Sequence, residues 1–500
     1  MRIFCKLIIA LLITLVFSCT KSISNYIENN RPPHISPDYT EIIIPPNIAP
    51  LNFKIEEEGL EFFIDIYGEN KKHIWIKTHK NIVKIPIKKW KKLLSENRGK
   101  ELYIDIYLKS KNNKWSKFQT IQNKIAKEEI DSYVVYRLIN PGYVLWWEMG
   151  IYERNLENFK ETPIFTNRAI KHNCINCHSF CNNNPEEMIF HIRGDFPGTI
   201  LVKNGSINKI NTSTKYTMSP GVYPSWHPNG NLIAFSVNKI YQSFHAQKDK
   251  SIYVWDKASD IIIYNIKTNT ITTSPKVSTK RLENTPTWSP CGKYLYFTSA
   301  PEFKRKEELK LKYDLMRIPY DFEKNEWGEV EPVLTSKETG KSISFPRISP
   351  NGKFLLFCMS DYGYFSIHFK SSDLYMLDLK TKKYWKLNIN SEQSESYHSW
   401  SSNSHWFVFA SKREDGLCSR LYFSYVDSLG NAYKPFLMPQ KDPTFYDTYI
   451  KNYNVPELIK GPIKISHWKL LKVTKKTPLE TMFDSTVNID ALSGATKIVR

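Results

Sequence analysis

The chain has 500 residues, of which 41% are hydrophobic and 14% aromatic, enough for two or three domains with substantial cores. Its formal net charge of +20 is compatible with a polyanionic partner. However, lysine is spread along the whole chain beside abundant Asn, Ile and Tyr, and no basic stripe or nucleic-acid motif stands out. We therefore expect no nucleic-acid partner.

Residues 1–19 have the features of an export signal. Arg2 and Lys6 precede the apolar run 7–17, which is too short to span a bilayer as a finished helix. Residues 16–19 read Val-Phe-Ser-Cys and resemble a lipobox, in which Cys19 is lipidated; an ordinary cleavable signal with a chance cysteine is the alternative. Either signal places the mature protein outside the cytoplasm, in the cell envelope, and lipidation would anchor it to a membrane.

Two segments follow the signal. Residues 20–50 are polar and contain several prolines, which predicts an extended tether. Over residues 51–131 apolar residues alternate with period two between turns, which predicts a small β-sandwich with one short helix near residues 88–94. No catalytic constellation occurs there, so we interpret this segment as a spacer or docking module.

A cysteine motif follows at residues 172–181. Cys174 and Cys177 are separated by two residues, and His178 comes directly after them, which is the pattern of covalent c-type haem attachment. Two thiols at this spacing reach the vinyl groups on one edge of a porphyrin, and the next side chain then lies under the iron. The motif therefore predicts haem c, with thioethers at Cys174 and Cys177 and His178 as the proximal iron ligand.

The second axial ligand of the iron would come from nearby chain. His191 or Met188 is the first choice, with His172 and Met149 behind them, because imidazole and thioether are the usual partners of a c-type iron. An open sixth position, which would allow ligand chemistry, is the alternative.

Two other uses of the cysteines stay open. Cys174, Cys177 and Cys181 with His172 or His178 could supply a Cys₃His zinc site. A disulfide, or inert thiols, is the second alternative for an exported protein.

A repeat predicts the architecture of residues 132–469. Residues 223–235, 285–297, 345–357 and, in worn form, 397–409 each read as a strand, a tight turn and a second apolar strand, followed by a further strand pair. Four strands per unit indicate a β-propeller. Strands near residues 188–202 add a fifth blade. Those before the cysteine motif, closed by residues 462–468, add a sixth, with the motif on an inserted loop.

Residues 470–500 form a C-terminal tail with a second redox-type motif. Asp490, Ser493, Gly494, Ala495 and Thr496 match the Asp-x-x-Ser-Gly-Ala-Thr pattern, which resembles the acceptor of covalently flavinylated proteins. There a transferase esterifies the threonine hydroxyl with the phosphate of FMN, and small residues allow its close approach. The flavin-binding domain that usually carries the motif is absent, so a disordered or docking C-terminus is the alternative.

Residues 45–53, 136–139, 173–180 and 453–458 resemble the TolB-like, WD-repeat-like β-propeller lipoproteins that carry an embedded haem motif. The resemblance covers most of the mature chain and implies an exported, membrane-tethered propeller. It supports fold and location more than function.

Two functions agree with these features. The first is extracytoplasmic electron transfer through haem c, with or without FMN, between redox proteins of the envelope. The second is a non-enzymatic scaffold whose propeller face binds another envelope protein or a glycan and whose cysteine loop is structural. A hydrolase is disfavoured because no Gly-x-Ser-x-Gly or His-Glu-x-x-His motif occurs.

Overall fold

A computed structural model describes residues 23–141, 147–243, 253–302 and 305–492. These residues form an N-terminal β domain and a propeller, which confirms the predicted all-β fold. The export signal with Cys19, and residues 493–500 with most of the flavinylation motif, lie outside the described residues. No helix in the described part of the chain has the length and apolar character needed to cross a membrane.

The N-terminal domain contains two sheets and one helix. The elements are β1 (Ile27–Asn29), β2 (Ile35–Ser36), β3 (Ile43–Ile44), β4 (Phe53–Ile55), β5 (Glu61–Gly68), β6 (His73–Thr78), β7 (Ile82–Val83), α1 (Ile87–Glu96), β8 (Glu101–Lys109), β9 (Trp115–Phe118) and β10 (Ile121–Ile125). In the larger sheet, β8 pairs with β5 along one edge and with β9 and β10 along the other. β6 extends β5, and β1 and β3 complete this sheet, while β2, β4 and β7 form the smaller sheet.

The segment predicted as a tether is partly folded into this domain. β1 pairs in parallel with β9, β3 pairs in parallel with β10, and Tyr39, Ile42 and Ile48 between and after them are buried. The sequence could not show this, because the partner strands lie some eighty residues later and give no local pattern. The predicted short helix is confirmed by α1, which buries Trp90.

The propeller has six blades within the described residues. Their strands are β11 (Tyr133–Ile139), β12 (Met149–Asn155) and β13 (Glu161–Thr166) in blade 1; β14 (Ile175–Phe180), β15 (Glu187–Ile192), β16 (Gly198–Lys203) and β17 (Ser206–Asn211) in blade 2; β18 (Val222–Trp226), β19 (Leu232–Ser243), β20 (Tyr253–Asn265) and β21 (Thr270–Thr272) in blade 3; β22 (Leu282–Trp288), β23 (Tyr294–Ala300), β24 (Asp314–Asp321), β25 (Glu326–Trp327) and β26 (Glu331–Leu334) in blade 4; β27 (Ser342–Ile348), β28 (Phe354–Ser360), β29 (Asp373–Asp378) and β30 (Tyr384–Lys386) in blade 5; and β31 (Glu395–Trp400), β32 (Trp406–Ser411), β33 (Arg420–Tyr425) and β34 (Phe436–Leu437) in blade 6. Helix α2 (Ser336–Thr339) connects blades 4 and 5, and helix α3 (Phe445–Thr448) follows blade 6.

The ring is closed by a strand from near the end of the chain. β35 (Asn452–Ile459) pairs antiparallel with β11 and supplies the innermost strand of blade 1. The expected closing segment, residues 462–468, is therefore wrong. Those residues lead instead into helix α4 (His467–Thr474), which Ser466 caps by accepting a hydrogen bond from the backbone N–H of Lys469.

The first part of the predicted tail runs along the outside of the blades. β36 (Leu479–Glu480) pairs with β17 of blade 2, and β37 (Met482–Phe483) pairs with β21 of blade 3. Asp484 then accepts a hydrogen bond from Asn325 of blade 4 at 2.8 Å. Residues 479–484 are thus fixed to three successive blades.

Candidate functional site on the propeller axis

Each innermost strand of the propeller carries the same irregularity. A β-bulge interrupts its pairing, and one residue of the bulge has a positive φ, although none of the six is glycine. These residues are Cys177, Tyr223, Thr285, Phe345, Tyr397 and Val455, with φ between 43° and 56°. Their repetition in every blade shows that the bulge belongs to the fold and is not special to one site.

The cysteine motif lies in this repeat and not on an inserted loop. Cys177 is the bulge residue of blade 2, and His178 occupies the next position, which is proline in four blades and His398 in blade 6. Residues 177–180 read Cys-His-Ser-Phe and correspond to Tyr-His-Ser-Trp at 397–400. The expected loop is wrong because residues 175–180 pair with β15 and form the wall of the central channel.

Three cavities follow one another along this channel. The upper cavity, of about 420 Å³, lies where β19 and β20 extend beyond the other blade strands. The waist cavity, of about 70 Å³, is lined by the bulge residues, and the lower cavity, of about 410 Å³, opens beyond it. Arg137 and Cys177 line both the upper and the waist cavity, so the motif lies at their junction.

His178 lines the waist cavity and is buried, with 2% of its surface exposed. Neither of its ring nitrogens has a hydrogen-bond partner of ordinary geometry within the described chain. Burial, with a contribution from the Arg137 charge, lowers its pKa to about 3, and the nearby carbonyl groups of Val135 and Val455 only partly oppose this. His178 is therefore a neutral imidazole with an unused lone pair, the state in which histidine binds a metal.

The two cysteines of the motif differ in their surroundings. Cys177 faces the upper and waist cavities. Cys174 packs between blades 1 and 2 with Ile139 and Met149, both of which line the upper cavity, and burial raises the pKa of its thiol. Cys174 thus lies just behind the wall that Cys177 faces.

Cys181 does not join these cysteines. It packs between blades 2 and 3, with its Sγ 3.8 Å from the carbonyl oxygen of His227, and burial raises its pKa to about 12. Nowhere in the described ranges do three His, Cys, Asp or Glu side chains form a group that could hold a metal ion, and the six cysteines described there are free thiols. The arrangement does not favour a Cys₃His zinc site.

Two of the four candidates for a second axial ligand reach the upper cavity. His191 lines it, 3% exposed, and its Nδ1 is 3.0 Å from the Thr199 hydroxyl oxygen; burial lowers the pKa of His191 to about 3. Met149 also lines the cavity, where its Sδ accepts a hydrogen bond from the backbone N–H of Ile175 at 3.2 Å. Hydrogen bonding of one ring nitrogen commonly fixes a histidine for ligation through the other.

The other two candidates do not reach it. Met188 is fully buried between blades 1 and 2, because side chains alternate along β15 and place it on the opposite face from His191. His172 is exposed and stacks on Trp147 with ring centroids 4.8 Å apart. Met188 therefore does not line the upper cavity, and its role as a distal ligand stays a prediction.

Sequence reasoning missed the side chain that joins the two cavities. Arg137 lies on β11, and its guanidinium donates to Asn176 and, at 3.2 Å, to Asn454. Nothing in the local pattern of β11 marks this arginine. The place of His178 in the blade repeat, in contrast, could have been found by aligning residues 177–180 with 397–400.

No protein-family model matches the chain, and no curated protein matches it. Solved structures similar to it include a TolB protein from Agrobacterium tumefaciens, with 13% identity and a TM-score of 0.36 over 64% of this chain and 96% of that one. An auxiliary nutrient binding protein from Bacteroides thetaiotaomicron has 12% identity and a TM-score of 0.32 over 83% and 91%. The Swd1 β-propeller domain from Myceliophteria thermophila has 10% identity and a TM-score of 0.30 over 53% and 87%. The similarity concerns the fold alone.

Proposed function

We propose that the chain binds a c-type haem on the propeller axis and transfers electrons outside the cytoplasm. Cys174 and Cys177 would hold the haem covalently, and His178 would bind its iron. The observation that carries the proposal is the place of His178, a buried neutral imidazole directly after Cys177 that lines the waist cavity and forms no hydrogen bond of ordinary geometry within the described chain.

The surrounding residues fit such a group. Cys177 lines a cavity of about 420 Å³, which is within the usual size range of cofactor pockets, and His191 and Met149 line the same cavity. Bound haem would supply one-electron chemistry. The protein's own residues keep His178 neutral and hold His191 through Thr199.

In this role the chain accepts one electron from a reduced envelope redox protein and passes it to an oxidised one, with no transfer of atoms. The N-terminal lipobox at Cys19 would keep it at a membrane of the envelope. FMN esterified to Thr496 would be a second electron carrier on the same chain. Asp490 of that motif is in an exposed turn at Ile489–Ala491, while Leu492 is 1% exposed, so the chain is held at residue 492, immediately before residues 493–496.

The haem is tested by expression in a host with a working cytochrome c maturation system, followed by haem staining after denaturing electrophoresis and a pyridine haemochrome spectrum. The wild type should stain, Cys174→Ser and Cys177→Ser should each lose one thioether bond, the double variant should not stain, and the matched control Cys181→Ser should stain fully. A wild-type protein without porphyrin would overturn the proposal.

The flavin has a separate test. After co-expression with a flavin transferase, in-gel ultraviolet fluorescence should disappear in Thr496→Ala. It should persist in Thr477→Ala, which changes an exposed threonine of the same C-terminal tail. Fluorescence that survives in Thr496→Ala would reject that residue as the acceptor.

One observation favours the second candidate, a scaffold or binding module without haem. His178 occupies a position of the blade repeat that also holds His398, whose Nε2 lies 2.9 Å from the carbonyl oxygen of Leu356 and which is not part of a cysteine motif. A colourless, correctly folded protein from the same host would support this function.

A further inference from the structure

The upper cavity is electrostatically unbalanced. Two cationic side chains, Arg137 and Arg193, line it beside the imidazoles of His191 and His368, which burial keeps neutral by lowering their pKa, whereas none of the described residues on its wall is acidic. Neither arginine forms an ion pair within the described ranges. A buried cation without a counter-charge is unfavourable, and its desolvation cost is recovered when an anion binds.

Arg137 is the stronger evidence for an anion site of the two arginines, because only 8% of its surface is exposed. Its guanidinium donates only to the neutral amide oxygens of Asn176 and Asn454, and its Nε has no partner among the described residues. The group therefore keeps unused hydrogen-bonding capacity at the cavity wall. Arginine is suited to binding carboxylate through two parallel hydrogen bonds.

Two other buried arginines show that the lack of a carboxylate is not by itself informative. Arg154 donates to the carbonyl oxygen of Pro439 and lies over the Phe159 ring, at 5.8 Å. Arg420 donates to two backbone carbonyls and lies over Tyr446, at 5.1 Å. Both are thus satisfied by backbone and rings, whereas Arg137 has neither kind of contact among the described residues.

The rest of the cavity wall is mainly apolar, which indicates that the body of the ligand is apolar as well. Side chains from blades 1, 2 and 3 contribute to it, among them Ile139, Met149, Ile192, Val222, Ile240 and Val254. A small hydrophilic anion would leave this surface wet. A molecule with an apolar body and a carboxylate would cover it and pair with Arg137 at the same time.

We infer that the upper cavity binds an apolar carboxylate, with Arg137 as the buried anchor of the carboxylate group and Arg193 as the second cation. Two sources share this chemistry. One is the propionate groups of haem, which rests on the proposed function, and the other is a free apolar carboxylate such as a medium-chain fatty acid.

The test uses the full chain with Cys174→Ser and Cys177→Ser, which cannot attach haem covalently. Metal-free protoporphyrin IX and its dimethyl ester are titrated separately, with porphyrin fluorescence as the readout, so that iron ligation does not contribute. The free acid should bind about 10- to 150-fold more tightly than the ester, because hydrogen bonds to a charged group contribute about 1.5–3 kcal/mol. Decanoate is then added as a competitor.

Three variants of this protein sharpen the test. Arg137→Gln should abolish the preference for the acid, Arg137→Lys should retain part of it, and the matched control Arg168→Gln, at an arginine whose side chain is 70% exposed, should leave it intact. Displacement by decanoate assigns the site to free carboxylates, and porphyrin binding that resists decanoate assigns it to the haem propionates.

Equal binding of acid and ester by the parent protein, no binding of either, or an unchanged preference in Arg137→Gln would overturn the inference. The outcome is separable from that of the proposed function. A wild type that carries no haem in cells while the cysteine variant still prefers the acid would refute the haem and leave the carboxylate site standing.

Discussion

Blades 2 and 6 place a histidine at the same position of the same bulge, and the two imidazoles have different surroundings. Nε2 of His398 lies 2.9 Å from the carbonyl oxygen of Leu356, and its Nδ1 is 3.8 Å from Cys358 Sγ. The carbonyl groups of Val135 and Val455 lie near His178 without forming a hydrogen bond of ordinary geometry, and the residue before it is a cysteine that faces a cavity. The blade repeat thus explains why a histidine fits at this position, and the unpaired nitrogens of His178 require a further reason.

The largest expected effect is on the spectrum of the bound haem. Four blades have proline at this position, so the fold accepts a residue without an N–H there. His178→Pro should fold but lose the reduced-minus-oxidised absorbance of an axially ligated haem, while His398→Pro should keep it. Equal spectra for the two variants would remove the distinction between the blades.

The next effect is on stability without haem, in the background of Cys174→Ser and Cys177→Ser. His398→Ala should cost about 3 kcal/mol in urea denaturation, because it opens a cavity and leaves the carbonyl group of Leu356 unpaired. His178→Ala should cost about 1–2 kcal/mol, since only packing is lost. A reversed order would mean that the His178 nitrogens are satisfied after all.

Acid should destabilise the fold through His398. Burial lowers its pKa to about 3, below the value near 6.5 of an unfolded histidine, so the unfolded chain binds a proton that the folded chain does not. Stability should therefore fall as the pH falls from about 6.5 to 3, by up to about 1.4 kcal/mol per pH unit from this residue. His398→Pro should make the measured slope of unfolding free energy against pH shallower; an unchanged slope would show that His398 is not buried as a neutral ring.

The smallest effect concerns the positioning of His191. Thr199→Val removes the hydroxyl that holds Nδ1 and should lower stability by about 1 kcal/mol. In haem-loaded protein it should also shift the visible spectrum or the midpoint potential, whereas Met149→Leu should not if His191 is the second ligand. A spectral change in Met149→Leu alone would favour the thioether instead.

The sequence predicted the propeller because its repeats are local. Residues 285–297 and 345–357 each contain a strand, a turn and a strand, and this pattern determines half a blade without reference to the rest of the chain. The tether was mispredicted for the opposite reason, since β1 and β3 are strands only because β9 and β10 lie beside them. The same holds for β35, which closes blade 1 across more than three hundred residues.

The residues of the candidate site also fall into two groups, those that the sequence predicted and those that only the structure revealed. Cys174, Cys177 and His178 were proposed as a haem site from their spacing alone, because covalent attachment to one porphyrin edge requires that spacing. Which partners surround them was decided by the closure of the ring, which brings Arg137 from blade 1 and His191 from β15 to one cavity and turns Met188 away from it. Chemistry that depends on neighbours in the chain can be read from the sequence, whereas burial, unpaired atoms and charge balance arise only when distant strands pack together.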